Sequence, residues 1–125
     1  MRLMNPGAGE ITDRLTILAL KILHGAEAGK DVTHFETERS SLLVLIRTRT
    51  LNGNWFEQVL DLAATNAALW EAEDDLRGYR MKTTEYDAAR AAAIAFRIQS
   101  LNDRRMAIIE TINKQTGEIL GAEKI

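Results

Sequence analysis

The feature that most constrains this chain is the spacing of its apolar residues, which follows the period of an α-helix almost throughout. In the first segment, Ile11, Leu15, Leu18 and Ile22 recur at intervals of three and four residues. No useful stretch alternates with the period of two that a half-buried strand shows. There is a single proline, Pro6, and the glycines fall mostly where a helical pattern stops. We therefore predict an all-α fold.

Turn and capping residues divide the pattern into four predicted helices, over residues 10–24, 33–50, 55–80 and 86–115. The last two are long. Short connections between helices favour antiparallel neighbours, and a length of 125 residues fits one core. We expect an antiparallel bundle of about four helices that forms a single domain over residues 1–125.

Several helix ends carry recognisable signals. Gly7, Ala8 and Gly9 read as a turn, because they lack the lysine and the preceding strand of a phosphate-binding loop. The predicted caps are Thr33 with Glu36 as a capping box, an asparagine of the turn at residues 52–54, Thr84 with Asp87, and Gly117 at the C-terminal end of the last helix.

Charge and cysteine content narrow the classes of partner. Sixteen basic and eighteen acidic side chains leave a net charge of -2. The chain therefore lacks the excess of basic residues that is typical of proteins that bind nucleic acid or anionic membranes. No apolar run approaches the length of a membrane span. The absence of cysteine fits a reducing compartment. We expect a cytoplasmic protein that binds neither nucleic acid nor membranes.

The first predicted helix is apolar on two faces, because Ile17, Leu20 and Leu23 lie opposite its main stripe. One interpretation is a central helix that is buried on both sides. The other is that the second face, with Trp55 or Trp70, forms the seam of a homodimer.

Polar side chains interrupt the apolar stripes of the two long helices. Asn66 follows Leu62 on the third helix, and Arg105 crosses the stripe of the fourth. An arginine within an apolar seam needs a partner, because an unpaired buried charge costs several kcal/mol. Glu73 and Asp74 are the expected partners of Arg105.

These positions suggest three polar centres that meet in one pocket, as ligand sites in helical bundles often do. The alternative is purely structural: Glu73 and Arg77 form a surface pair, and Arg105 joins a buried ion pair. The candidate ligand-binding residues are Glu10, Asp13, Arg14, Asn66, Glu73, Asp74, Arg77, Asn102 and Arg105. His24 and His34 stand alone and read as surface or capping residues.

The three centres correspond to the motifs GEITDRLTIL at 9–18, LWEAEDDLR at 69–77 and LNDRR at 101–105. With these motifs the chain resembles, over nearly its whole length, a family of small uncharacterised bacterial proteins of unknown function. That family has lysine at position 14 and glutamate at position 19, where this chain has Arg14 and Ala19. The resemblance implies no activity, but it supports a meeting of the three centres in space.

The leading hypothesis is a helical ligand-binding or protein-interaction module, with a polar cluster at one end of its core and no cofactor, that forms a homodimer and takes a small anionic ligand. An alternative is magnesium-dependent hydrolysis of a phosphoanhydride. Glu10 with Asp13, and Glu71 with Asp74, are carboxylates three residues apart, and Mg²⁺ prefers such oxygen ligands.

The second pair, Glu71 and Asp74, is the candidate metal site, and Arg14, Lys21 or Arg105 would neutralise phosphate oxygens. The arrangement is similar to that of all-α nucleoside triphosphate pyrophosphohydrolases. In those enzymes, however, the two motifs lie on successive helices, whereas about sixty residues separate them here.

A second enzymatic alternative needs no metal. As in all-helical chorismate mutases, Arg14 and Arg105 would clamp a small dicarboxylate while Glu73 or Asn66 orients it. That hypothesis rests on analogy between folds.

Overall fold

A computed structural model describes residues 6–117, and in that range the chain forms four α-helices joined by short loops. They are α1 (Ala8–Glu27), α2 (Thr33–Ile46), α3 (Gly53–Arg80) and α4 (Ala88–Gln115). Residues 6–117 contain no strand, and none of the four helices has the length and apolar character needed to cross a membrane. The all-α prediction with two long helices is confirmed.

The two long helices, α3 and α4, form an antiparallel hairpin on which the shorter helices pack. Asp75 lies 4.0 Å from Arg90 towards the turn of this hairpin, and Asn66 and Arg105 meet farther along it. Helix α1 runs antiparallel to α2 and α4 and parallel to α3. It packs against all three other helices, whereas α2 packs chiefly on α1.

Because α1 packs against three helices, most of the apolar residues on its two faces are buried or half-buried. Leu18 is fully buried, and Ile17 and Leu20 are half-buried between helices. Leu23, near the C-terminal end, is 54% exposed. The interpretation of α1 as a central helix is therefore correct for its N-terminal two thirds, while its last turns leave apolar surface uncovered.

The core lies at one end of the bundle and draws residues from every helix. Its buried members are Ala8, Ile11, Ile46, Leu62, Ile108 and Ile112. Residues 81–87, which connect α3 to α4, and the first three residues of α4 are all exposed. The outer end of the hairpin thus extends beyond the core.

The predicted C-terminal ends of α3 and α4 agree with the structure, while their predicted starts each differ from it by two residues. The side chains of Asn52 and Asp87 accept hydrogen bonds from backbone N–H groups of the helices they precede. The cap predicted at Thr84 was wrong, because Asp87 directly precedes α4 and caps it.

The prediction for α2 differs from the structure in its N-terminal cap and in its C-terminal end. The capping box at Thr33 was wrong, because the hydroxyl of Thr33 donates to Asp31 over 2.6 Å instead of accepting from the helix. Helix α2 also ends at Ile46, four residues earlier than expected.

Gly9 lies inside the first turn of α1, so the turn predicted for Gly7 to Gly9 was wrong in its second half. The N–H of Gly9 donates to Asn113 Oδ1 over 2.7 Å. A Cβ atom at this position would lie 2.3 Å from the carbonyl oxygen of Ile109. Glycine therefore lets α1 approach the backbone of α4 directly.

Candidate functional site

An ion pair between α1 and α4 forms the centre of the polar cluster. Arg105 donates from Nε to Asp13 Oδ1 over 2.9 Å and from Nη2 to Oδ2 over 2.7 Å. Asp13 is 6% exposed, and the side chain of Arg105 is 31% exposed. This two-point contact is the geometry in which arginine holds a carboxylate most firmly.

Asn66 brings α3 into the same network. Its Nδ2 atom donates to Asp13 Oδ1 over 2.9 Å and to Thr16 Oγ1 over 2.8 Å, and the residue is 4% exposed. The hydrogen bonds with Asp13 raise the pKa of Arg105, although burial opposes the shift. One carboxylate therefore ties α1 to both long helices.

This pairing corrects the partner predicted for Arg105. The expected partners were Glu73 and Asp74, but Arg105 binds Asp13, while Glu73 contributes only a longer-range attraction. The predicted pair of Glu73 with Arg77 is also wrong, because Arg77 donates to Asp74 over 2.7 Å on the exposed side of α3. Asp13 is buried between the helices, whereas Glu73 and Asp74 are exposed.

Glu10 belongs to a separate contact at the N-terminal end of α1. Its Oε1 atom accepts from Asn113 Nδ2 over 3.0 Å, and Asn113 also accepts from the N–H of Gly9. Asn113 is 4% exposed and was not among the residues predicted for the polar cluster. Its position directly after Ile112 of the apolar stripe was the available signal.

Arg14 lies on another side of α1 and contacts α2. It donates from Nε and Nη2 to the two carboxylate oxygens of Glu38 over 2.6 and 2.8 Å. This hydrogen bond lowers the pKa of Glu38, whose side chain is 40% exposed. Arg14 and Arg105 bind different carboxylates on different helices, so the structure does not bring them together as the two arms of a clamp.

The carboxylates considered as magnesium ligands contact different partners or are exposed. Glu10 contacts Asn113, Asp13 contacts Arg105, and Asp74 contacts Arg77, while Glu71 is exposed. Within residues 6–117, no group of three or more histidine, aspartate and glutamate side chains is placed to hold a metal ion. The magnesium-dependent alternative stays a prediction.

Four of the predicted ligand-binding residues line one small cavity, which we call the polar pocket. Its volume is about 160 Å³, and it lies where α1, α3 and α4 meet. Its polar lining consists of Lys21, Asn66, Glu73, Asn102 and Arg105. The polar centres of the two long helices therefore meet, whereas Asp74 and Arg77 remain outside the pocket.

Chemically, the polar pocket offers hydrogen-bonding groups of both charges. Nη1 of Arg105 and Oδ1 of Asn66 make no hydrogen bond within residues 6–117, since the contacts described above use Nε and Nη2 of Arg105 and Nδ2 of Asn66. Glu73 supplies a carboxylate on the opposite helix. The ligand that such a pocket suits has both a hydrogen-bond acceptor and a donor within a few bond lengths.

An apolar groove runs along the other side of α1. It has a volume of about 320 Å³ and contains no charged side chain. Trp55 closes one end by donating from Nε1 to Thr12 Oγ1 over 3.0 Å. The residues that define this apolar groove are Leu15, Ala19, Leu20, Trp55, Val59 and Ala63.

Comparison with protein-family models, with curated proteins and with solved structures found no match for this chain. The resemblance to an uncharacterised bacterial family therefore stays a prediction, and the function has to be argued from the polar pocket and the apolar groove.

Proposed function

We propose that this protein is a small-molecule-binding module, and that the polar pocket takes a small ligand with a carboxylate and a cationic or hydrogen-donating group. The observation that carries the proposal is the arrangement of Arg105, which Asp13 holds by two hydrogen bonds while Nη1 stays unpaired in the described chain. A ligand carboxylate would bind Nη1 of Arg105 and the amide of Asn102. The ligand's cationic group would bind Glu73.

The charges of the pocket refine the expectation of a purely anionic ligand. Lys21 and Arg105 bring two positive charges, and Asp13 and Glu73 bring two negative charges. Because these formal charges cancel, a simple dianion would gain little and would be repelled by Glu73. A ligand such as an α-amino acid, with separated charges of both signs, fits this distribution better.

The size of the pocket supports the same class of ligand. Its volume of about 160 Å³ is below the ~300 Å³ at which pockets for drug-sized ligands begin. Arg105 and Asn66 are also held in place before binding, because both donate hydrogen bonds to Asp13, which is almost fully buried. A pre-organised site loses less side-chain entropy when the ligand binds.

The test is a thermal-shift and calorimetry series with α-amino acids, small dicarboxylates and small monoamines. A ligand at about 100 times its dissociation constant adds about 2.7 kcal/mol, which raises the melting temperature of such a domain by several degrees. Glu73→Gln should abolish the shift, and the matched control Glu71→Gln, which alters an exposed residue of the same helix, should leave it unchanged.

A second matched pair tests the other side of the pocket. Asn102→Ala should weaken binding, whereas Asp103→Ala on the exposed side of α4 should not. The proposal is wrong if none of the three ligand classes shifts the melting temperature, or if Glu71→Gln and Glu73→Gln behave alike.

We also propose that two copies of the chain pair through the apolar groove. The groove carries no charged side chain, so two copies can meet face to face without bringing like charges together. Phe56 and Leu60, each 56% exposed, extend the apolar surface on α3 beside it, and Leu23 extends it on α1. Contiguous apolar surface of this kind is typical of protein–protein contacts.

The proposal includes a cytoplasmic location in a bacterium. The absence of cysteine supports a reducing compartment, and the resemblance of the three sequence motifs supports the bacterial origin. Expression of a tagged chain in a bacterium, followed by fractionation, tests the location: recovery in the periplasmic or membrane fraction would contradict it.

A further inference from the structure

A further cavity, distinct from the polar pocket and the apolar groove, lies between the end of α1 and the start of α2. Its volume is about 420 Å³, and we call it the basic cleft. The side chains that give it its character are Lys21, His24, Lys30, His34, Phe35 and Trp70. It is large enough for a ligand the size of a mononucleotide.

The charge of the basic cleft is positive. The lining includes two lysines and two histidines but only one carboxylate, that of Asp31. Asp31 already accepts hydrogen bonds from the N–H and the hydroxyl of Thr33, over 2.9 and 2.6 Å. The side chain of Lys30 makes no hydrogen bond or ion pair with any residue in the range 6–117. Lys30 is therefore available for an anion.

Aromatic rings from α2 and α3 line the same cleft. The ring of His24 stacks on that of Trp70, with centroids 4.7 Å apart and planes inclined by 14°. The ammonium group of Lys21 lies 5.3 Å from the centre of the Phe35 ring. Flat apolar faces beside cationic groups suit a ligand that combines a planar ring with a negative charge.

We propose that the basic cleft binds a small aromatic anion, in which a planar ring carries a phosphate or a carboxylate group. The ring would pack against Trp70 and Phe35, and the anionic group would contact Lys30 and Lys21. Lys21 and Trp70 also line the polar pocket. Lys30 lines only the basic cleft, and Asn102 lines only the polar pocket, so the two sites can be tested separately.

Tryptophan fluorescence provides the readout. The chain contains two tryptophans, and the variant Trp55→Phe leaves Trp70, in the wall of the cleft, as the only one. We would titrate this variant with adenosine monophosphate, with phenylacetate, with uncharged adenosine and with inorganic phosphate. Adenosine monophosphate tests a phosphate source of the negative charge, and phenylacetate tests a carboxylate source.

We expect saturable quenching by at least one of the two aromatic anions. Adenosine and inorganic phosphate should each bind about tenfold more weakly than the better anion, because each lacks one of the two recognised features. Lys30→Ala should weaken binding by about tenfold. The control Lys114→Ala, an exposed lysine near the C-terminal end of α4, should change nothing, and neither should Asn102→Ala.

Three results would overturn the inference. They are the absence of saturable quenching with both aromatic anions, equal binding of inorganic phosphate alone, and an unchanged affinity in Lys30→Ala. Because Lys30 is exposed and lies in a loop, its replacement should not unfold the protein, and circular dichroism of the variant checks this. A failure here would leave the proposal for the polar pocket intact, since the Glu73 and Asn102 variants test that site.

Discussion

The contact between Asp13 and Arg105 allows the most quantitative prediction. Asp13 is 6% exposed in the parent chain, and Arg105→Ala leaves its carboxylate with a single side-chain donor, Asn66. Removing one partner of a buried pair costs about 3–5 kcal/mol. Because the Arg105 side chain is 31% exposed, water can enter the space it leaves, so we expect the lower end, about 3 kcal/mol.

The reverse change should cost less. Asp13→Ala leaves the guanidinium of Arg105 without its partner, but that group can reach solvent, and Asn66 keeps its hydrogen bond to Thr16. We expect a loss of about 2 kcal/mol. The double variant leaves no unpaired buried charge, so its loss should be smaller than the sum of the two single losses by about 1 kcal/mol or more.

Urea unfolding followed by circular dichroism measures these free energies, and a loss of 3 kcal/mol corresponds to roughly 10 °C in melting temperature for a domain of this size. The matched control is Arg104→Ala, which removes an exposed arginine from the same helix and should stay within about 0.5 kcal/mol of the parent. If Arg105→Ala matched this control, or if Asp13→Ala were the costlier change, the reasoning from burial would be refuted.

Three further predictions follow from the packing. Gly9→Ala should lower the free energy of unfolding in urea by about 1–3 kcal/mol, because its Cβ would lie 2.3 Å from a backbone oxygen of α4. The control Gly53→Ala, with nothing within 4 Å of the added Cβ, should leave the free energy of unfolding unchanged. Equal effects of the two changes would contradict the close approach of α1 to α4. Arg14 holds the pKa of Glu38 below its usual 4.5, so the stability this pair adds is present above about pH 4.5 and is lost as pH falls. Glu38→Gln should therefore reduce the acid-induced loss in urea unfolding, by less than about 1 kcal/mol because both side chains are more than a third exposed; an unchanged loss would contradict the pairing. Leu60→Asp should give a mass near 14.0 kDa in light scattering, whereas the parent should give twice that; a monomeric parent would refute pairing through the apolar groove.

The helices could be predicted from the sequence because each signal is local. Apolar spacing predicted all four helices, and the turn at residues 52–54 marked the start of α3, where Asn52 accepts from an N–H three residues away. At α4 the cap was expected at Thr84, but it is Asp87 that accepts from the N–H of Arg90. The error at Thr33 also has a local origin. There a competing side chain, Asp31, took the hydroxyl that a capping box would have used.

The candidate site was only partly predictable, because its partners are distant in sequence. The need of Arg105 for a carboxylate followed from its place in an apolar stripe, but the choice between Glu73, Asp74 and Asp13 depends on how α1 lies on the hairpin. Glu38 was missed for the same reason, since nothing in α2 indicates which face of α1 it meets. The basic cleft was missed because its residues come from three helices and share no motif.

The polar cluster can be a structural contact and a binding site at once, because different atoms of Arg105 can serve each purpose. Nε and Nη2 hold Asp13 and so join α1 to α4, while Nη1 is unpaired in the described chain and the residue lines the polar pocket. Replacing Arg105 would therefore remove stability and binding together and could not separate them. Glu73 and Asn102 line the same pocket without taking part in the Asp13 contact. Variants at these two positions should lose ligand binding while keeping the free energy of unfolding of the unliganded protein, a combination that a purely structural cluster would not produce.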